Sequence, residues 1–170
     1  LYTLFSTVLL FVLVDALAYY AHRAMHIKPL FRHVHHVHHR FVATSPWVVT
    51  AMHPVEFLTF QAVTFIPMFF LPLYYLSAIA VFVYILAFNI IDHSGVKLVS
   101  RLPWQGPSMF HDDHHAHFHV NFGQCFTLWD RVHGTLRRKG RRYGVDVFGG
   151  KGVKGGGAEG GSDPDEFVRY

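Results

Sequence analysis

The chain has 170 residues, a net charge of +4, and a composition that is 51% apolar, 16% aromatic and only 15% charged. Average globular chains carry about 25% charged residues, so the length bounds one domain and the composition argues against an ordinary soluble globule. Cys125 is the single cysteine, which excludes an intramolecular disulfide framework and a thiolate metal site.

Leu1 to about Ala21 is an apolar run close to the roughly 20 residues a helix needs to cross a bilayer. Ala16-Leu17-Ala18 has the form of a cleavage triplet. However, no basic residue precedes the run, Asp15 interrupts it, and cleavage would leave a chain starting among functional histidines; a signal peptide is therefore rejected. Beginning at Leu1 and not Met, the chain is expected to be N-terminally truncated.

His22 and His26 follow at helical i, i+4 spacing and project together from the end of this first span. Asp15 and Tyr19 lie on the same stripe. A carboxylate at position 15 could accept the free ring N–H of a ligand histidine, or it could cap or pair locally near the interface. His35, His38 and His39 form a second box, read as one helical face, with His33 and His36 pointing elsewhere.

Val55 to Ile91 is a second apolar region of 37 residues with no Lys or Arg. It is too long for one crossing and suits two short ones, with Pro67 and Pro72 near the turn. Two crossings return the chain to the side it left, so every histidine box shares one membrane face. Arg23, Lys28, Arg32, Arg40, Lys97 and Arg101 fall on that face, which the positive-inside rule assigns to the cytosol.

His93 sits at the hairpin exit in Asp92-His93-Ser94-Gly95 and is a candidate ninth ligand. His111, His114 and His115 repeat the second box's spacing, and Ser108 after Pro107 is the expected N-cap of their helix. Asp112 and Asp113 face away from the box. Arg137 to Arg142 form a basic run, read as juxtamembrane in preference to a nucleic-acid arm. Residues 149–162 include eight glycines, so 149–170 is expected to be a disordered tail behind a domain spanning 1–148.

Twelve of the fifteen histidines fall within 22–39 or 111–119. One box alone would be weak evidence, since a lone pair is more often surface or satisfied core. Three boxes on one face point to metal, and nine imidazoles suit two ions with four or five ligands each. His53 is as readily a cap as a ligand, His117 and His119 could support ligands, and His133 is read as structural.

The boxes in this order around a hydrophobic hairpin resemble the fatty acid hydroxylase/sterol desaturase superfamily of membrane oxygenases. The resemblance runs from about Asp15 to Tyr143. It includes Asp15-x3-Tyr19-x2-His22-Arg23, Thr44-Ser45-Pro46, His53-Pro54-Val55-Glu56 and Asp92-His93-Ser94-Gly95. Asn121-Phe122-Gly123-Gln124 leading to Leu128-Trp129-Asp130-Arg131 and Gly134-Thr135 looks most like sterol C5-desaturases, whereas the His-Ser-Gly element looks more like sterol methyl oxidases and hydroxylases.

The resemblance implies an all-α integral-membrane protein with one N-terminal span, a helical hairpin and a histidine-rich helical cap facing the cytosol at the endoplasmic reticulum. It implies two Fe ions (or Zn in isolated protein), O2 as co-substrate, and electrons from NAD(P)H through a cytochrome b5-type donor. The implied metal ligands are His22, His26, His35, His38, His39, His111, His114 and His115, with His93 as a further match. Asp15, Tyr19 and Asn121 are the implied supporting residues, and no catalytic side chain is expected beyond the metal centre. The expected reaction is desaturation or hydroxylation of a sterol or related lipid. A fatty-acyl or sphingolipid hydroxylase on the same scaffold is the nearest rival, and a non-catalytic metal-binding or transport protein is the rival of another class. Nucleic acid is not an expected partner.

Overall fold

The computed structural model describes residues 1–41, 45–102 and 104–137, together with the strand pair Arg141–Arg142 and Val153–Lys154. Thr44 and most of the basic run and the Gly-rich tail lie outside the described residues. Within the tail, Val153–Lys154 pairs antiparallel with Arg141–Arg142. Otherwise the fold is all-α, consistent with a helical membrane protein.

Helix α1 (Tyr2–Met25) contains no glycine or proline and continues past the apolar run, so it carries His22 inside its last turn and ends at His26. Helix α2 (Lys28–His33) is a short connector. Two 3₁₀ turns, His35–Arg40 and Pro46–Thr50, lead into the hairpin. Its arms are α3 (Pro54–Phe70) and α4 (Tyr75–Asp92), joined through Leu71–Tyr74. Pro54 occupies the first turn of α3, where its missing N–H costs nothing. His53 Nδ1 caps that helix by accepting the Val55 N–H at 3.2 Å, which settles its role as a cap. Helices α5 (Phe110–His117) and α6 (Leu128–His133) complete the cap.

Two helices, α1 and α4, are long and apolar enough to cross a membrane; α3, with 17 residues, is apolar but shorter. At 1.5 Å per residue α3 spans about 26 Å, close to the roughly 30 Å hydrocarbon core. Exposed side chains on all three are large and apolar: Leu4, Phe5 and Val8 on α1, Ile66, Phe69 and Phe70 on α3, Ile79, Val83 and Ile90 on α4. So extensive an apolar surface is what a lipid environment would cover.

Helix α1 packs against both arms of the hairpin. Leu10 and Val14 meet Val81, Ile85 and Phe88 of α4 around Cys125, and Val63 and Met68 of α3 pack against this core. At the far end the Tyr2 hydroxyl donates to the Pro72 carbonyl, and Ser77 Oγ donates to the Thr3 carbonyl at 3.1 Å. The start of α1 therefore meets the hairpin turn. The end of α1, the start of α3 and the end of α4 gather at the opposite end, together with all three histidine boxes.

Candidate metal centre

Nine histidines converge at that end in two groups. His22, His26, His35, His39 and His114 form one; His38, His93, His111 and His115 form the other. Within each group, one nitrogen per ring lies within 4.8 Å of all the others, and all nine residues are buried. The groups adjoin, with the His39 and His115 rings stacked at a centroid separation of 4.6 Å. These are the nine positions expected from the sequence as ligands.

The second box sits on a 3₁₀ turn and does not share one α-helical face. At about 120° per residue, His39 is rotated a third of a turn from His38. His38 is eclipsed with His35 in such a turn, yet the box is divided otherwise: His35 and His39 enter the five-histidine group and His38 the four-histidine group.

Hydrogen bonds at Nδ1 orient the rings. His35 Nδ1 donates to Glu56 Oε1 at 2.6 Å, and His93 Nδ1 donates to Asp92 Oδ1 at 2.7 Å and to the Asn89 carbonyl at 2.8 Å. His114 Nδ1 donates to the Val120 carbonyl at 2.6 Å and His22 Nδ1 to the Phe122 carbonyl at 2.9 Å. A neutral imidazole has one N–H, so each of these rings presents a bare Nε2 lone pair inward.

Those nitrogens crowd one another. His39 Nε2 lies 3.1 Å from both His35 Nε2 and His114 Nε2. His115 Nε2 lies 3.1 Å from both His38 Nε2 and His111 Nε2. His35 and His114 keep their protons on Nδ1 and His39 can donate one proton at most, so in the five-histidine group a lone pair meets a lone pair. Cation–nitrogen bonds of about 2.1 Å give ligand–ligand edges of roughly 3.0–3.4 Å, matching this spacing. His22 Nε2 and both ring nitrogens of His26 are buried without a hydrogen-bond partner. The donor set fits metal.

Burial and then neighbouring rings hold His26, His35, His38, His39, His111 and His114 well below the ordinary imidazole range; the same causes bring His115 down to about 3. The rings are neutral near pH 7, the state a metal requires.

Asp15 does not receive a ligand-ring proton. Its Oδ1 accepts the Cys125 and Phe126 N–H groups at 2.9 and 3.2 Å, and its Oδ2 accepts Trp129 Nε1–H at 2.9 Å. Pointing away from the rings, it ties α1 to the segment beneath α6. The Tyr19 hydroxyl meets Thr135 Oγ1 at 2.9 Å and no ligand histidine. Asn121, in the left-handed region at φ 57°, donates to Asp113 Oδ2 and accepts the Arg137 N–H, each at 2.9 Å. It thereby pins the segment whose Val120 and Phe122 carbonyls hold two ligand rings. Asp113 also pairs with Arg137.

Ser108 does not cap α5; Met109 occupies that position without a side-chain bond. The Ser108 hydroxyl instead accepts the Leu98 N–H at 2.8 Å and donates to the Val96 carbonyl, stapling the preceding loop. His117 bonds the Asp113 carbonyl, and His133 bonds Tyr20 and stacks on Tyr19, so both are structural.

Glu56, Asp92 and Asp130 stand within sequence motifs that assign them no role. Glu56 and Asp92 hold the His35 and His93 rings directly. Each is an acid at the edge of an apolar span, and that placement was the available signal. Asp130, fully buried, accepts the Phe122 and Gly123 N–H groups at 2.9 and 2.7 Å and the Thr135 hydroxyl at 2.5 Å, backing the carbonyl that holds His22. Burial pushes its carboxyl up to about 6, against the pull of those donors.

Three apolar helices with nine convergent imidazoles gathered at one end define a helical membrane protein with a polyhistidine metal-binding constellation. Residues 7–135 match the family described as fatty acid hydroxylase, and the chain belongs to that family. It is 32% identical over 136 residues to a Delta(7)-sterol 5(6)-desaturase of Gibberella zeae, covering 80% of this chain and 39% of the relative. It is 32% identical over 125 residues to lathosterol oxidase of Rattus norvegicus (72% and 42%), and 33% identical over 128 residues to methylsterol monooxygenase 1 of Gallus gallus (73% and 43%). The chain thus spans about two fifths of these relatives. No solved structure matches.

Proposed function

We propose that this chain carries the catalytic centre of an O2-dependent membrane oxidoreductase that desaturates or hydroxylates a sterol or related lipid. The observation that carries the reading is the convergence of nine buried imidazoles in two adjacent groups at the head of an apolar cavity. The names of the relatives add the sterol.

His22, His26, His35, His39 and His114 would hold one iron, and His38, His93, His111 and His115 the other. When bound, such a pair supplies the O2-derived oxidising power that removal of hydrogen from an unactivated C–H bond requires. The protein's part is orientation. Glu56, Asp92 and the carbonyls of Asn89, Val120 and Phe122 keep protons on Nδ1, leaving Nε2 for the metal. Phe57, Phe60, Phe82, Ile85 and Leu86 line the approach and exclude water from the reacting carbon. Lys28, Arg32 and Arg40 lie at the histidine end, where a cytochrome b5-type donor carrying electrons from NAD(P)H would approach from the cytosolic side of the endoplasmic reticulum.

A transport reading needs ligands near the membrane midplane, whereas all nine histidines sit at one end of the helices. Metal analysis and lipid profiling of the full-length protein test the proposal, with His114→Ala and His115→Ala as controls, one from each group. The expected result is two metals per chain and an O2-dependent double bond or hydroxyl that both substitutions abolish. A single metal in the fully active protein, or an unchanged lipid profile with both metals bound, overturns it.

A further inference from the structure

A cavity of about 160 Å³ lies between the histidine ends of α3 and α4. His22, His35, His38, His93 and His111 form its head. Phe65 and Phe82, with ring centroids 5.5 Å apart, bridge the two helices below it. Phe57 and Leu86 line it and are 41% and 43% exposed on the apolar surface, so it opens sideways, toward lipid.

Below the histidines and the Glu56 carboxyl at its head, the walls are apolar apart from three amides, Gln61 on α3, Asn89 on α4 and Gln124, with hydroxyls alongside. Gln124 Nε2 donates to Asn89 Oδ1 at 3.0 Å, which leaves the Asn89 Nδ2 donors and the Gln124 Oε1 acceptor uncommitted. Gln61 makes no hydrogen bond among the described residues. At membrane depth an amide without a partner is costly. Here three face one small cavity, offering both donors and acceptors.

Their depth is informative. Gln61 is five residues along α3 from Glu56, about 7.5 Å of helix, and Asn89 is four residues before His93, about 6 Å. The amides therefore form a polar layer roughly one helical turn below the ligand layer, on both walls. A group bound there must be a donor and an acceptor at once, must arrive from lipid, and must sit close to the reacting carbon. A sterol hydroxyl meets all three conditions. It lies on carbon 3 of ring A, and a 5(6) double bond forms two and three bonds away from that carbon.

We propose that Gln61, Asn89 and Gln124 form a subsite that reads the sterol hydroxyl, so that the sterol enters ring A first and its hydrocarbon tail trails through the Phe57–Leu86 opening. This rests on the lipid-oxidoreductase reading and narrows it. An acyl chain brings no hydroxyl to this depth and would leave the amides unpaired, and sites built to bond a hydroxyl reject analogues lacking it most strongly.

The test is direct binding of lathosterol and of its 3-methyl ether to the full-length protein in lipid nanodiscs, for the native protein and for Gln61→Leu, Asn89→Leu and Gln61→Asn. Metal content and thermal midpoint confirm that each variant is folded. Native protein is expected to prefer lathosterol at least tenfold. Both leucine substitutions should reduce that preference to about twofold or less, and Gln61→Asn, which keeps the amide, should restore part of it. Equal binding of the two ligands by native protein overturns the subsite, as does a preference untouched in folded leucine variants. Turnover is measured separately: a preserved hydroxyl preference with no sterol oxidation refutes the proposed reaction and leaves the subsite standing.

Discussion

Replacing Glu56 separates the two metal groups, because only His35 of the five-histidine group leans on it. The bond is short, at 2.6 Å, and both residues are 1% exposed. Removing one partner of a buried hydrogen bond costs about 1.5–3 kcal/mol. Glu56→Ala leaves the His35 Nδ1–H without an acceptor and frees the ring to turn or exchange tautomers. If that energy is expressed in ligand orientation, metal affinity falls roughly 10–150-fold at one group, in the range seen when such supporting carboxylates are removed. Glu56→Gln keeps an acceptor oxygen, so its loss should be smaller, about tenfold. Chelator competition on purified protein, followed by counting metals per chain, reads the result directly. One metal should leave at low chelator and the other should stay, since His93 and its carboxylate are untouched. Retention of both metals in Glu56→Ala with affinities within twofold of native would refute the reasoning, and so would equal weakening of both.

Three further outcomes follow from the same geometry. In Gly123→Ala the added Cβ would collide with the Phe126 carbonyl and crowd the Asp130 carboxylate. The expected cost is about 2–4 kcal/mol, read as a lowered unfolding midpoint in detergent; a native midpoint would contradict the packing described. Asp15→Ala strands the Cys125 and Phe126 N–H groups and the Trp129 indole, at about 1–3 kcal/mol for each buried donor, so a change below about 0.5 kcal/mol would show that those bonds do not hold α1. Chelator-treated protein should lose stability on acidification. With folded-state values of the buried imidazoles below the usual 6.5, the unfolded chain takes up protons that the folded chain refuses, so stability present above about pH 6.5 declines as pH falls toward the lowered values. Unfolding midpoints at pH 7.5, 6.5 and 5.5 check this, and a flat or rising series on acidification would be inconsistent with neutral buried rings.

The histidines were legible because metal ligation leaves a local trace: i, i+3 and i, i+4 spacings survive in the sequence whatever the tertiary fold. The hairpin was legible for a similar reason, since 37 residues without a cation have few places to go. What holds the ligands was not. The spacing of Asp15 to His22 suggests a local partner, yet its partners are Cys125, Phe126 and Trp129, more than 100 residues away, and no local pattern encodes such a meeting. Asp130 acts on His22 through a backbone carbonyl, which has no residue signature. The second box defeated helical arithmetic because a 3₁₀ turn and an α-helix share the same short spacing but project differently. Ser108 was a good cap by residue type, and its hydroxyl was already engaged by the loop before it.

The division of the second box has a consequence for how the protein is made. Each group joins histidines from the second box to histidines of α5, more than 70 residues later, and the five-histidine group reaches back to His22. Neither group is complete until the last box has been synthesised. At about 5–20 residues per second, the ribosome takes roughly 5–20 s to travel from His22 to His115. For that interval the early imidazoles stand at the membrane edge without most of their eventual neighbours, open to whichever cation is abundant. Either group can offer its full set of nitrogens only after α5 has been made.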